Sequence, residues 1–390
     1  MEDCKKMKVL YVTHYSDYLG ANRSLLQLIK LLKTDDISSL VVVPNEGEFS
    51  TYLRSANIEY IVIPFFYSLY LRDKKRYKNV YYILKGCLLE LLNVFFAFYY
   101  ASFVLKKEKI DIVHTNSSAI NIGAYLAFFL KVKHVWHVRE FLRLHYGLCF
   151  PWGVSVQRYI MRNMADVLIP ISKAVENYLK SFISKDKLHL IYNGVVYTPN
   201  ERTVSNCPLN IVMVGVIHPS KRQFLVIQVL HDLLLKGYTS LRLTIVGNVD
   251  NMHLDYYNEM QEYIEDNNLE EYVTFTGYME DVAPLLSNMH VGILASENEA
   301  FGRVTVEYMM SGLVPIVANS GGSVEIIVNG VNGFVFNDKS DLTNILILIL
   351  NDKNLMKQIT EKAIQTANER FTGEINALNV FDCYKTILQS

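Results

Sequence analysis

A chain of 390 residues with a formal net charge of -1 has room for two or three domains and carries no global field that would draw it to nucleic acid. With 51% apolar and 20% charged residues it is no disordered chain; it fits a globular protein on the apolar side of the usual range. The five cysteines, Cys4, Cys87, Cys149, Cys207 and Cys383, are odd in number, scattered and without a C-x-x-C pair, which argues for a reducing compartment and against a disulfide frame or zinc site.

Lys5, Lys6 and Lys8 are followed at once by an apolar run, residues 8–14 (KVLYVTH), which reads as a first buried strand. A signal peptide would need an apolar stretch and a small-residue cleavage site here, so a cytoplasmic location is expected. The turn at residues 18–24 holds Gly20, which brings backbone amides near a phosphate or an acceptor, and residues 25–32 follow at helical spacing. Residues 39–43 and 60–63 read as the next strands. Then come five basic residues, Arg72, Lys74, Lys75, Arg76 and Lys78, and an almost wholly apolar stretch at 87–105. That stretch is just long enough to span a bilayer. Glu90 and Asn93 lie inside it and a strand follows it, so a helix packed on the sheet with an exposed apolar and basic face is expected.

Residues 110–116 and 134–140 are strands running into loops. In an open parallel sheet, ligand residues lie just past the carboxyl ends of strands, which singles out Asn116, Ser117, His137, Arg139 and Glu140. Arg139 and Glu140 either pair with each other or bind an acceptor. Residues 165–172 close the first domain, with Ser172 capping the next helix. Residues 197–208, polar and with two prolines, read as a linker between a domain at 1–196 and one at 209–370. The second domain opens on a strand at 210–215, and Gly215 with Lys221 after it suits diphosphate binding, since phosphate wants a cation beside the amides that cradle it. Residues 241–247, 273–277 and 291–296 are further strands.

The most informative stretch is 296–318, read as loop, short helix, turn and buried strand. Gly302 lets backbone approach a ligand, and the amides around Phe301 and Gly302 open a helix, a ready anion site. Glu299 and Glu307 flank it. Carboxylates beside phosphate-binding amides suit a ligand with both phosphate and hydroxyls, such as a nucleotide-sugar. No Asp-x-Asp pair and no His/Cys group at metal spacing is visible, so no metal or other cofactor is expected.

Glu299-x7-Glu307, with Phe-Gly between and Gly-x-Pro after, resembles the donor-site motif of retaining glycosyltransferases of family 4. Residues 190–195, resembling an exit strand, and 321–325 extend the likeness. The resemblance implies an α/β chain of GT-B architecture, two facing Rossmann-like domains with parallel sheets, the first completed by a C-terminal helix within 371–390. It implies a metal-independent enzyme in cell-surface polysaccharide or glycolipid assembly, with a nucleotide-sugar donor and a sugar or lipid-linked sugar acceptor. Glu299, Lys221 and His137 would act at the donor sugar and phosphate. Gly20, Asn116, Arg139, Ala300, Phe301, Gly302, Arg303 and Glu307 would bind substrates. The chain departs from the family at Val216, where an arginine is usual, and at the turn around Gly20, where two glycines are usual. The alternatives are a GT-B sugar-nucleotide epimerase and a non-catalytic partner subunit. The lack of G-x-G-x-x-G after any strand argues against a dinucleotide oxidoreductase. The basic run beside the apolar stretch adds the expectation of a peripheral contact with an anionic membrane face.

Overall fold

The computed structural model describes residues 6–33, 36–141, 147–203 and 208–389; Cys4, Lys5, Cys207 and part of the expected linker lie outside them. The chain divides into two compact units, Met1–Gly194 with Gly373–Ser390, and Val195–Thr372.

The first unit is built on β1 (Met7–Val12), β2 (Ile37–Val43), β3 (Glu59–Val62), β5 (Ile112–Thr115), β6 (Lys133–Val138) and β8 (Val167–Pro170), with a small antiparallel pair of β4 (Tyr70–Leu71) and β7 (Leu148–Cys149). The six-stranded sheet is parallel in the order β3-β2-β1-β5-β6-β8. Its central strands are buried on both faces, which is why they read as continuous apolar runs. Around it lie α1 (Gly20–Leu32), α2 (Glu48–Ser55), α3 (Arg76–Phe103), α4 (Ile122–Leu130), α5 (Val154–Met164) and α6 (Lys173–Lys180). Ser172 caps α6, accepting from the Val175 amide as its sequence position implied. The expected exit strand at 190–195 forms no ladder: His189 and Ile191 donate singly to Leu168 and Pro170, and Val195 makes one isolated bridge, to Thr372. Among the described residues, α3 alone is long and apolar enough to cross a membrane.

The second unit repeats the plan with β9 (Leu209–Val214), β10 (Leu241–Val246), β11 (Val273–Gly277), β12 (Val291–Leu294), β13 (Val314–Ala318) and β14 (Phe334–Phe336), parallel in the order β11-β10-β9-β12-β13-β14. Its helices are α7 (Gln223–Leu235), α8 (Leu254–Asp266), α9 (Ala283–Leu286), α10 (Arg303–Met310), α11 (Lys339–Asn351) and α12 (Lys353–Arg370). The supposed linker is tied to this unit: Tyr197 Oη lies 2.5 Å from Ser311 Oγ, and the Arg202 guanidinium donates to the carbonyls of Ser311 and Met289. The last helix, α13 (Gly373–Gln389), belongs to the first unit and packs on α1.

In both sheets the strand order reverses at the first strand, between β1 and β5 and between β9 and β12. Loops leaving the carboxyl ends of those strands diverge, and ligands of open α/β sheets bind in the crevice so formed.

Candidate active site

In the second unit the reversal point brings together two loops far apart in sequence. The loop after β9 carries Lys221 on a single 3-10 turn, Pro219–Lys221, rather than at the start of the following helix. The loop after β12 carries Glu299. Lys221 Nζ donates to Glu299 Oε2 at 2.7 Å, with both side chains about one-fifth exposed. The Glu297 amide donates to the Ser220 carbonyl at 3.0 Å, stitching the loops beside that pair.

Glycines shape the loop by necessity. Gly321 has φ +70°, and a Cβ on it would lie 2.2 Å from the Glu299 carbonyl oxygen. The same carbonyl accepts from the Gly322 amide at 2.6 Å, so residues 321–322 fix the backbone from which the Glu299 side chain reaches Lys221. Gly302, at φ +89°, is the N-cap of α10 and uses the left-handed conformation that a side chain would resist. α10 itself is pinned from below: Tyr308 Oη accepts from the Val214 amide at 2.8 Å, and its ring fills the space above Gly292, where a Cβ would come within 2.3 Å of it.

No side chain caps the N-terminus of α10, and the Thr305 amide donates to the Gly302 carbonyl at 3.0 Å. Ala300 and Phe301 are buried just before it. Glu307, a turn inside, lies 3.9 Å from Arg303. Two hydroxyls flanking this stretch, Ser296 Oγ and Thr305 Oγ1, are buried with no hydrogen-bond partner among the described residues. Buried polar groups without partners are rare and favour sites that a ligand completes. Val216 is exposed, 44% of its surface reaching solvent, so nothing cationic stands at that position.

A cluster that the sequence spacing did not reveal lies beside Lys221. The side chains of His218, Asp250 and His253 offer ligand atoms within 4.8 Å of one another. Only the Asp250-x2-His253 half is local enough to have been noticed. His218 Nδ1 accepts from the Ser220 amide at 3.0 Å. A metal-ligating histidine normally donates its second nitrogen. With Nδ1 held as an acceptor, Nε2 carries the proton of the neutral ring, and metal ligation there would need an imidazolate. The donor set therefore does not fit a resident cation. Burial, then the charge of His253, lowers the His218 pKa, so the ring is a neutral N–H donor.

In the first unit Gly20 is the first residue of α1, with no atom within 4 Å of where a Cβ would stand. Asn116 donates to the Ala21 carbonyl and accepts from Arg139 Nε at 2.7 Å; Arg139 Nη1 donates to Asn193 Oδ1 at 2.8 Å. Glu140 accepts from Ser117 Oγ and from the amide and hydroxyl of Ser118, and burial raises its pKa.

His137 is wholly buried. Its Nδ1 lies 3.4 Å from Arg139 Nη2, which can only donate, and 3.2 Å from His114 Nε2. His114 Nε2 must then carry a proton, leaving His114 Nδ1 to accept from Tyr384 Oη at 2.6 Å. The chain Tyr384–His114–His137 thus fixes His137 as an Nε2–H donor, and that nitrogen has no acceptor among the described residues. Burial, with the Arg139 charge nearby, holds His114 and His137 well below the usual histidine range and takes His14 down to about 3. All three rings are neutral at physiological pH. Nothing local in the sequence links Tyr384, on the last helix, to this group.

Two family models tile the chain: Glycosyltransferase Family 4 matches residues 19–197, and Glycosyl transferases group 1 matches residues 201–366. An uncharacterized glycosyltransferase of Methanocaldococcus jannaschii is 22% identical over 98% of this chain and 99% of its own. The Escherichia coli UDP-Gal:alpha-D-GlcNAc-diphosphoundecaprenol alpha-1,3-galactosyltransferase is 24% identical over 90% of this chain and 89% of its own. Among solved structures, Anabaena HepE in complex with UDP superposes with a TM-score of 0.78 at 21% identity, covering 97% of this chain and 100% of that one. The two parallel-sheet units share the GT-B architecture.

Proposed function

The chain is a glycosyltransferase of the group 1 and family 4 type, and on that premise we propose that it moves a sugar, with retention of anomeric configuration, from a nucleoside-diphosphate sugar to a hydroxyl acceptor. The observation that carries this reading is the Lys221–Glu299 pair at the strand-order reversal, beside the uncapped start of α10. A diphosphate there replaces a carboxylate as the partner of Lys221, and the amides at Phe301 and Gly302 meet its oxygens. Charge grows on the leaving phosphate as the glycosidic bond breaks, so a lysine and aligned amides stabilise the transition state more than the ground state. Freed from Lys221, Glu299 accepts hydrogen bonds from donor-sugar hydroxyls. Glu307, released from Arg303, accepts from the ribose hydroxyls.

His137 contributes its fixed Nε2–H to a sugar oxygen; Gly20, Asn116 and Arg139 serve the acceptor. His218, a neutral donor next to Lys221, takes part of the phosphate contact that Val216 cannot make. No side chain acts as nucleophile: the leaving phosphate takes the acceptor proton on the face it departs from. The positive groups suffice for the diphosphate without a metal. The relative that acts on a diphosphoundecaprenol-linked sugar supports a lipid-linked acceptor, met at the cytoplasmic face of a membrane in surface polysaccharide or glycolipid assembly.

The product's anomeric proton coupling, read by NMR from a reaction run in EDTA, tests this. Retention at undiminished rate is expected. Inversion sinks the mechanism, loss of activity restored by Mn²⁺ sinks the metal-free reading, and donor isomerised without acceptor identifies an epimerase.

A further inference from the structure

The helix α3 is inside out. Its buried face carries Gly86, Glu90, Asn93, Ala97 and Ala101, small or polar residues recurring at helical spacing. On the opposite face Tyr81, Leu84, Leu88, Leu91, Phe95 and Phe103 are each 59–70% exposed. A helix on a soluble surface turns its apolar stripe inward. This one, about 42 Å long at about 1.5 Å per residue, turns it out.

The inward face cannot let go. Glu90 accepts from Ser68 Oγ, Asn93 Nδ2, Asn121 Nδ2 and Tyr125 Oη, and Asn93 is bonded to both backbone groups of Phe66. A helix held so along its polar face does not leave the unit to cross a bilayer, where those groups would lose their partners.

The ends of α3 are basic. Arg72, Lys74, Lys75 and Arg76 are exposed at its start, and Lys106, Lys107 and Lys109 just past its end. Asp73 and Glu108 are engaged by Lys78 and Lys8, and Asp111 accepts from the Lys8 amide. That charge pattern chooses the occupant. Two copies of α3 packed stripe to stripe would oppose basic to basic whether parallel or antiparallel. An anionic lipid surface meets both ends favourably and takes the apolar stripe between them.

We propose that α3 lies in the plane of an anionic bilayer, its outer stripe inserted to the level of the acyl chains and its two basic ends on the headgroups. The surface gives the proposed lipid-linked acceptor a place to be met, but it stands on its own geometry. Vesicle binding is measured without donor or acceptor, so failure of sugar transfer and failure of docking are told apart.

The test is flotation of the full chain with vesicles of phosphatidylcholine carrying about 30% phosphatidylglycerol, against phosphatidylcholine alone. Binding to the anionic vesicles is expected, with release by alkaline carbonate. Joint Lys74→Glu, Lys75→Glu and Arg76→Glu should weaken it at least about a hundredfold, from about fivefold per basic residue lost. Joint Leu88→Glu, Leu91→Glu and Phe95→Glu should abolish it with an unchanged circular dichroism spectrum. Should that variant unfold, Leu91→Trp alone reads the same contact, its emission shifting to the blue on anionic vesicles. No binding at low salt overturns the proposal. Resistance to carbonate overturns it in favour of a crossing helix, and a dimer that Leu88→Glu dissolves, without vesicle binding, in favour of a second copy.

Discussion

Replacing Lys221 by alanine separates the catalytic role of the Lys221–Glu299 pair from its structural one. At the 2.7 Å separation found, an effective dielectric of about 20 gives a gross attraction of about 6 kcal/mol. Desolvation of two side chains that are only 20% and 19% exposed offsets most of it. A charged hydrogen bond of this kind nets about 1.5–3 kcal/mol, and partial exposure puts this one at the low end. Lys221→Ala should therefore lower the stability of the free protein by about 1–2 kcal/mol, enough to shift Tm by a few degrees and leave it folded at assay temperature. Its effect on turnover should be larger. Loss of one donor to a developing anion costs about 10²–10³ in kcat, or about 2.7–4 kcal/mol. Glu299→Gln makes the complementary cut: it frees the ammonium, so affinity for the bare nucleoside diphosphate holds or tightens while kcat falls with the lost sugar contact. Steady-state kinetics with calorimetric binding of the bare diphosphate read both quantities. If Lys221→Ala keeps kcat within a factor of about three, or if Glu299→Gln weakens the diphosphate as much as Lys221→Ala does, the argument fails.

Gly321→Ala should destabilise the protein by about 1–3 kcal/mol, because a left-handed residue gains a Cβ facing the Glu299 carbonyl; an unchanged melting curve would show that the loop yields. Tyr384→Phe removes the hydroxyl that sets the His114 and His137 tautomers. It should lower kcat and redistribute the histidine tautomers in nitrogen NMR while diphosphate affinity stays constant; unchanged tautomers would break the relay. Stability should fall on acidification. His14, His114, His134 and His137 have folded pKa values depressed below the unfolded value of 6.5, chiefly by burial, His14 to about 3 and His134 to about 4. Such groups contribute stability that is present above pH 6.5 and lost as the pH falls towards those folded values, because the unfolded chain takes up the protons. One unit below the unfolded pKa each costs about 1.4 kcal/mol, so denaturant midpoints at pH 5.5 and 7.5 should differ strongly; equal midpoints would contradict neutral burial.

What could be read from the sequence was what is local. The 296–318 stretch announced its glycine, its short helix and its buried strand because loop, cap and strand follow one another along the chain. What could not be read depends on the order of strands. Lys221 meets Glu299 across 78 residues, and Tyr384 meets His114 across 270, since β9 lies against β12 and the last helix returns to the first unit. Residues 321–325 were legible only as a likeness; the carbonyl 2.2 Å from where a Cβ on Gly321 would stand shows why a glycine is there. The exposed apolar and basic face of α3 was legible in its composition; that Glu90 and Asn93 are what the unit holds was not, because their partners lie on other elements. The exit strand at 190–195 had strand-like residues but meets its neighbours only through single hydrogen bonds and one isolated bridge, and without a ladder an extended segment is not a strand.

The central claim, a nucleoside-diphosphate sugar held by Lys221, Glu299, Glu307 and the start of α10, is tested most directly by thermal unfolding of wild-type protein and Lys221→Ala against a panel of UDP-, GDP-, ADP- and TDP-sugars. A ligand at about 100 times its Kd adds about 2.7 kcal/mol, which is about 5–10 °C for a unit of this size. The account predicts such a rise for one base in the wild type and its loss or marked reduction in Lys221→Ala; no rise with any donor at millimolar concentration, or an equal rise in both proteins, would contradict it.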